Sequence, residues 1–493
     1  ALINTNLTGR PLTHCLSITG SSVCIFGEER LEAIASVRDK PELQDIGAYL
    51  FVPDSGTTPC PAWSRDLREE AEDESTENPA DTGENTLGQD ALYIFTSGTT
   101  GLPKAAVVSN RRLILTGGLS YRAGLQCDEK DCIYLCLPLY HGTGLFLGVG
   151  ASFLSGATMF VRRKFSASNF LPEVREHGAT CFIYIGELCR YLLQTPVQQD
   201  DYQNPLTKVM GNGLRPDVWH EFKDRFGIQR VAEFYGASEG NVGFVNMLNK
   251  DCTVGTTAIP LALVKYDVDA DEIVRDSRGR CIRVERGEPG LLLGKSTAKT
   301  EFEGYTSEEA TESKVLRGAF EDGDAWFNTG DLLRTVDVGF ALGMTHYQFV
   351  DRVGDTFRWK SENVSTNEVG EIINGHPQVA ICNVYGVDVP RADGKAGMAA
   401  LTLAEDVDEL DLESFAAHIN RELPPYARPV FLRILREMDT TGTFKMVKGD
   451  LRKQAYDPDL VEDALYVMKP GAAVYEALSA EFAGQIKAGN GGY

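Results

Sequence analysis

The chain has 493 residues and a formal net charge of −23, enough length for two or three domains around a large apolar core. The acidic balance excludes a nucleic-acid binder, which would carry a basic patch or stripe. Its 11 Cys form no CxxC pair, and Cys127, Cys132 and Cys136 fit no common zinc spacing. They read as small buried apolar residues in a reducing compartment.

The chain opens at ALINTNLTGRPLTHCL with neither Met nor a signal peptide. It reads as a fragment whose original start is missing. Short apolar runs follow: SVCIF, AYLFV, LYIF, IYLCL, ATMFV, CFIYI and RVAEFY. They alternate with amphipathic stretches such as Ser166 to His177 and Pro216 to Phe226. Strands alternating with helices predict an α/β fold of layered sheets. Ser64 to Asp90 is acidic and nearly free of large apolar groups, so a solvated surface loop is expected. Asn110, just after AAVVS, is the expected cap of the next helix. From Cys132 to Val161 no Asp, Glu, Lys or Arg occurs, about the length of a membrane span. Pro138, His141 and five Gly interrupt it, so a buried strand followed by a Gly-rich helix is expected instead. Gly243 to Val338 reads as β-rich, with turns at SRGR and RGEPG. A smaller α/β unit follows from about Thr356, with helices near Asn367 to Asn374 and Leu412 to Leu423. Its strands are expected near Val379 to Val387 and Ala399 to Leu403. The domain boundary falls within Asp351 to Asp355.

The chemistry is concentrated in YIFTSGTTGLPKAAVVS, Tyr93 to Ser109. An apolar run ends in Thr96, Ser97, Gly98, Thr99, Thr100 and Gly101, followed by Lys104. Gly lets the main chain approach a ligand closely, and successive N–H groups in such a loop form an anion-binding concavity. Hydroxyls add donors and Lys104 adds a cation, which together suit a polyphosphate. The spacing Gly98-x-x-Gly101-x-x-Lys104 is not the common GxxxxGK[ST] loop.

This stretch resembles the phosphate loop of the adenylate-forming superfamily, which includes acyl-CoA synthetases, luciferases and adenylation domains. Other segments fall into that family's order: PLYHGTG, EFYGASEGNVGF, NTGD, FVDRVGDTFRWKSENVSTNEV and TGTFK. The wording of YGASEGN, GNGLRPDVW, GDTFRWKSENVSTNEV and TGTFKMVK is similar to the fatty acid transport protein and very-long-chain acyl-CoA synthetase branch. The resemblance covers nearly the whole chain, without the branch's membrane-associated amino-terminal part. It implies a large multi-subdomain amino-terminal domain, residues 1–353, of layered α/β sheets plus a β-rich region. A small mobile α+β domain, residues 354–493, would carry the catalytic lysine.

The implied reaction is activation of a long or very long fatty acid by ATP to acyl-AMP, then transfer to coenzyme A. Two anions must meet in the first step, so positive charge and fixed geometry are required. By the resemblance, Thr96, Ser97, Gly98, Thr99, Thr100, Gly101 and Lys104 hold the phosphates, and Glu239 holds Mg2+. Gly211, Asn212, Gly213, Tyr235, Gly236, Ala237 and Ser238 wall the adenine. Asp331 accepts from the ribose hydroxyls, and Arg352 lies near the ribose and α-phosphate. Lys445, a compact charge on a flexible arm, bridges the attacking carboxylate and the α-phosphate. His141 either gates the acyl channel or orients the carboxylate. Tyr184, Gly186 and Gly211 are candidates for the acyl pocket. Gly354 is the expected pivot, which swings Lys445 out after adenylation. Ser361 stands where this branch carries Gly. The other readings are a ligase for a bile, sterol or aromatic acid, or a lipid transport protein with little catalysis. The expected setting is the cytoplasm or the cytoplasmic face of a membrane, with no nucleic-acid partner.

Overall fold

The run CFIYI forms the strand Cys181–Ile185 and is buried at its first four positions, as a strand covered on both sheet faces must be. The structure is a computed structural model. It describes residues 1–54, 56–96, 102–237, 240–268, 270, 272–297, 300, 304–360, 362–392, 394–438 and 448–493. Five parallel strands lie side by side in the order Thr158–Val161, Cys132–Leu135, Cys181–Ile185, Lys208–Asn212 and Arg230–Gly236. Gly243–Val245 adds an antiparallel edge. The helices Ala167–His177 and Pro216–Phe226 begin and end close to where the sequence places them. Ser166 caps the first, Pro216 opens the second, and both stop at a glycine in the left-handed region, as helix-end chemistry requires. Trp219, Phe222 and Phe226 of the second helix join the sheet's core.

Strand order decides where a ligand can enter. Cys132–Leu135 leads to Thr158–Val161 on one side, and the chain then crosses back to Cys181–Ile185 on the other. Connections diverge at that point, and open α/β sheets bind ligands in the crevice beyond the strand ends there. The segment Cys132 to Val161 is a fully buried strand, a π-helical stretch Thr143–Val149, the helix Gly150–Ser155 and an edge strand. Among the described residues no helix is long and apolar enough to cross a membrane.

Three further layers complete the large domain. A parallel sheet joins Val23–Gly27, Ala48–Val52 and Arg65–Asp66. Asp90–Thr96 and Lys104–Ser109 form an antiparallel hairpin. In the β-rich region, Leu261–Val264, Gly290–Lys295, Ala325–Val336, Val315–Arg317 and His346–Arg352 make an antiparallel sheet. The acidic stretch is almost wholly exposed and is tied down by Asn110 N–H to Gln89 O at 3.0 Å and Arg111 N–H to Leu87 O at 2.8 Å. The cap of the following helix is Ser109, not Asn110. Ser109 has extended backbone and its hydroxyl accepts from Arg112 N–H at 3.2 Å. Asn110 is already helical, and its amide donates to Thr86 O instead.

The small domain has its own core, from Phe357 to Ile486. Its sheet joins Val379–Asp388, Lys395–Leu403, Phe431–Ile434, Ala464–Val467 and Glu476–Ala477, with helices Thr366–Asn374 and Leu412–Glu422. All 11 Cys are free thiols, nine of them buried, which fits their reading as small apolar residues.

Candidate active site

Thr96 pairs with Lys104 at the end of the hairpin, so the SGTTG run joins its two strands in sequence. Ser97, Gly98, Thr99, Thr100 and Gly101, with the side chain of Thr96, lie outside the described residues, as do Ser238, Glu239, Ser361 and Lys445. Lys104 Nζ lies 5.5 Å from the centre of the Tyr305 ring, and Pro103 O is 3.0 Å from His14 Nε2. From the helix after the hairpin, Arg112 donates to Gly240 O at 2.6 Å. That contact brings the helix following the hairpin against the segment just past Glu239.

Tyr235, Asp331 and Arg352 come together. The Tyr235 hydroxyl donates to Asp331 Oδ2 at 2.6 Å. Arg352 Nε stands 3.7 Å from Asp331 Oδ1, within ion-pair range but too far for a hydrogen bond. Asp331 and Arg352 are register partners on neighbouring antiparallel strands, which fixes their meeting. Burial, then the Asp331 charge, pushes the Tyr235 phenol well above its ordinary value, so it stays a donor. Gly236 and Ala237, at the end of the same strand, are exposed, leaving main chain open at the crevice.

Asn212 ends the neighbouring strand and Gly213 follows it. Asn212 Oδ1 accepts from Thr143 Oγ1 at 3.0 Å, and Thr143 N–H points to His141 Nδ1 at 3.5 Å. The loop holding His141 is therefore tied to the Gly211–Gly213 turn. Gly213 N–H and, at 3.2 Å, Leu214 N–H donate to Glu233 Oε1, while the Tyr184 hydroxyl contacts Glu233 Oε2. One connected path of side chains and strand ends runs from His141 through Asn212, Gly213, Glu233 and Tyr235 to Asp331 and Arg352.

Two expectations change here. Tyr184 has no exposed surface and its hydroxyl is spent on Glu233, so it lines no open channel. Gly211 and Gly186 are required by backbone approach. A Cβ at 211 would meet Tyr184 O at 2.0 Å, and one at 186 would meet Gly213 O at 1.7 Å. The strand Lys208–Asn212 is not among the expected ones, because KVMGN carries only two large apolar residues before its glycine. Gly354 has nothing within 4 Å of a Cβ and no left-handed backbone, so no steric demand for glycine exists in this conformation.

A further cluster, not marked by any sequence motif, lies behind Arg352. Asp351, 1% exposed, accepts from Thr366 N–H at 2.6 Å, Thr366 Oγ1 at 3.0 Å and Asn367 Nδ2 at 3.2 Å. Ser365 caps the helix Thr366–Asn374, and Asp351 on the strand His346–Arg352 adds a carboxylate at its first turn. Burial pushes the Asp351 carboxyl above its ordinary value. Lys448 Nζ stands 3.0 Å from Thr366 Oγ1 and 3.2 Å from Asp355, which also pairs with Arg452 at 2.8 Å. Burial raises the Asp355 carboxyl, but Lys448 and Arg452 outweigh it and hold it below its ordinary value. The only signal in the sequence was two acids flanking the expected hinge and two cations just past TGTFK.

Residues 1–305 match the family described as AMP-binding enzyme, and residues 368–445 match the AMP-binding enzyme C-terminal domain. The medium/long-chain-fatty-acid–CoA ligase FadD6 of Mycobacterium tuberculosis is 41% identical over 488 residues, covering 99% of this chain and 78% of that protein. Long-chain fatty acid transport protein 3 of Homo sapiens is 39% identical over 500 residues, covering 99% and 71%. Among solved structures, the anthranilate CoA ligase AuaEII in complex with anthranoyl-AMP superposes with a TM-score of 0.75 at 21% identity, covering 93% of this chain and 83% of that one. ATP-bound MatB from Rhodopseudomonas palustris gives 0.73 at 20%, covering 92% and 83%. At those identities the likeness shows the fold: a large mixed α/β domain followed by a small one. With both profiles in order along the chain and close relatives matched over nearly its whole length, this chain belongs to the AMP-binding enzyme family.

Proposed function

We propose that this chain is an acyl-CoA synthetase that activates a fatty acid with ATP to acyl-AMP and then transfers the acyl group to coenzyme A. The observation that carries it is the Tyr235–Asp331–Arg352 cluster at the open end of the parallel sheet, within a family whose matched relatives are named as fatty-acid–CoA ligases and fatty acid transport proteins. A ligase for bile, sterol or aromatic acids, or a binding protein with little catalysis, is not favoured by those relatives.

In the first step a carboxylate oxygen bonds to the α-phosphorus as the bond to pyrophosphate breaks. In the second, the thiol sulfur bonds to the acyl carbon and AMP leaves. Asp331 takes the ribose diol, since a carboxylate offers only acceptors, and Tyr235 holds that carboxylate in place. Gly211 to Gly213 and Gly236 to Ala237 form the adenine walls. Arg352 lies by the ribose and α-phosphate. Ser97 to Gly101, Thr96 and Lys104 receive the β- and γ-phosphates. Lys445 neutralises the two approaching anions, and His141 gates or orients the acyl group. Among the described residues no group of three or more His, Cys, Asp or Glu gathers to hold a metal ion. Glu239 is the carboxylate we give to magnesium, in keeping with the ion's habit of using one or two carboxylates plus phosphate oxygens. Bound there, it would neutralise phosphate charge. Gly354 serves as the pivot of residues 354–493. The setting is the cytoplasm or the cytoplasmic face of a membrane.

The test is ATP-dependent pyrophosphate release across fatty acids of graded length and unrelated carboxylic acids, with and without coenzyme A. Release with fatty acids, lost in Lys445→Ala, is expected. No release with any fatty acid overturns the reading.

A further inference from the structure

Three neighbouring strands meet at one level of the parallel sheet. Tyr184 is register partner to Gly211, and Gly211 to Glu233. The middle residue has no side chain, and its Cβ would collide with the Tyr184 backbone and ring. The two outer side chains therefore reach across it and touch, Tyr184 hydroxyl on Glu233 Oε2. The other oxygen, Oε1, takes the N–H groups of Gly213 and Leu214, the first two residues past the end of the middle strand. Gly213 sits at φ +85°, a backbone shape with little intrinsic preference to hold itself. Glu233 is 3% exposed and lies two residues before Tyr235. Side chains alternate across a strand, so both point to the same face.

We propose that Glu233 is a positioning residue for the nucleotide: it locks the Gly211–Gly213 turn against the sheet and sets that wall of the site without touching substrate. The proposal rests on the reading of this turn as part of the ATP site. It also explains Gly211 as the gap that lets Tyr184 and Glu233 meet.

The network works in either protonation state. Oε1 accepts both N–H groups whether or not the acid is ionised. At Oε2 the hydroxyl of Tyr184 donates to a carboxylate or accepts from a carboxylic acid. Burial pushes Glu233 up to about 8, with its three donors acting in the opposite sense. Tyr184 and, on the helix Gly186–Leu193, Cys189 are the titratable groups that face it; both are fully buried, and burial first and the Glu233 charge second raise both.

The experiment compares Glu233→Ala, Glu233→Gln and Tyr184→Phe in the full chain, reading KM for ATP, KM for the fatty acid and kcat. Glu233→Ala strands three donors, the Tyr184 hydroxyl and the N–H groups of Gly213 and Leu214, and KM for ATP is expected to rise about tenfold while KM for the acid stays within about twofold. Glu233→Gln is expected to rescue it, because the amide oxygen accepts both N–H groups and the amide nitrogen donates to Tyr184. Tyr184→Phe should raise KM for ATP by about threefold. It decides the matter if Glu233→Ala does not fold. Equal effects on both KM values, a Gln variant as impaired as Ala, or no change in ATP KM in Tyr184→Phe overturns the proposal. A wild-type chain that consumes no ATP with any fatty acid overturns the site reading instead, so the two failures are distinguishable.

Discussion

The Tyr235 hydroxyl offers the cleanest test of the proposed ribose role of Asp331. Tyr235→Phe keeps the ring and removes only the donor to Asp331, a contact of 2.6 Å to a charged acceptor. Hydrogen bonds to charged groups contribute about 1.5–3 kcal/mol when buried. The Asp331 side chain is 18% exposed, so water can replace part of the loss and about 1.5 kcal/mol is the expected cost. That is about a tenfold rise in KM for ATP. Arg352, 57% exposed and 3.7 Å from the same carboxylate, should contribute less than about 1 kcal/mol. The assay is initial-rate acyl-CoA formation against ATP and against fatty acid, in a double-mutant cycle with Asp331→Asn. Coupling of about 1 kcal/mol or more between Tyr235 and Asp331, confined to ATP, is expected. Additive effects, or a KM change in fatty acid alone, would refute the assignment of this cluster to the nucleotide.

Other outcomes follow from single contacts. Lys448→Met removes the cation from beside buried Asp351 and half-buried Asp355, leaving Asp355 only its Arg452 ion pair. It should cost about 3 kcal/mol in denaturant unfolding, with roughly half regained in Lys448→Met with Asp355→Asn; a loss below about 1 kcal/mol contradicts the cluster's role. Gly186→Ala drives a Cβ to 1.7 Å from Gly213 O and should cost about 3 kcal/mol or block folding. Gly118→Ala, in the helix Asn110–Leu119 with nothing within 4 Å, should instead gain about 0.5–1 kcal/mol. Burial, then the Asp217 charge across the domain seam, pushes Glu371 up to about 7, with Arg215, Glu368 and Arg334 also facing it. A carboxyl raised in the folded state favours folding at low pH, and that contribution is lost as pH rises through about 7. Tm followed by calorimetry from about pH 5 to 8 should therefore fall more steeply in the native chain than in Glu371→Gln. Parallel curves would show that Glu371 does not titrate at the seam.

Much of the architecture was legible because local chemistry dictated it. Pro216 and Gly227 bracket one helix, Ser166 and Gly178 another, and buried runs such as CFIYI leave a strand little alternative. The order of the motifs along the chain likewise pointed to the family before any contact was known. The misses share a cause. KVMGN looks weak as a strand because its glycine answers to a carbonyl on the neighbouring strand. Glu233 looks like one more acid in EFYG because its partners, Tyr184 and Gly213, are distant in sequence and meet it only through strand register. Asp351 and Lys448 are unremarkable until two domains close around Thr366.

Alone, then, the sequence determined most of the elements, the order of the motifs and the family. It could do so because helix ends, buried strands and phosphate-binding loops are set by interactions over a few residues. Tertiary structure decided which carboxylates stand partly exposed and which are buried braces. That depends on burial and on pairings between strands far apart in the chain, such as Asp331 with Arg352 or Glu233 with Gly211, which no local pattern encodes.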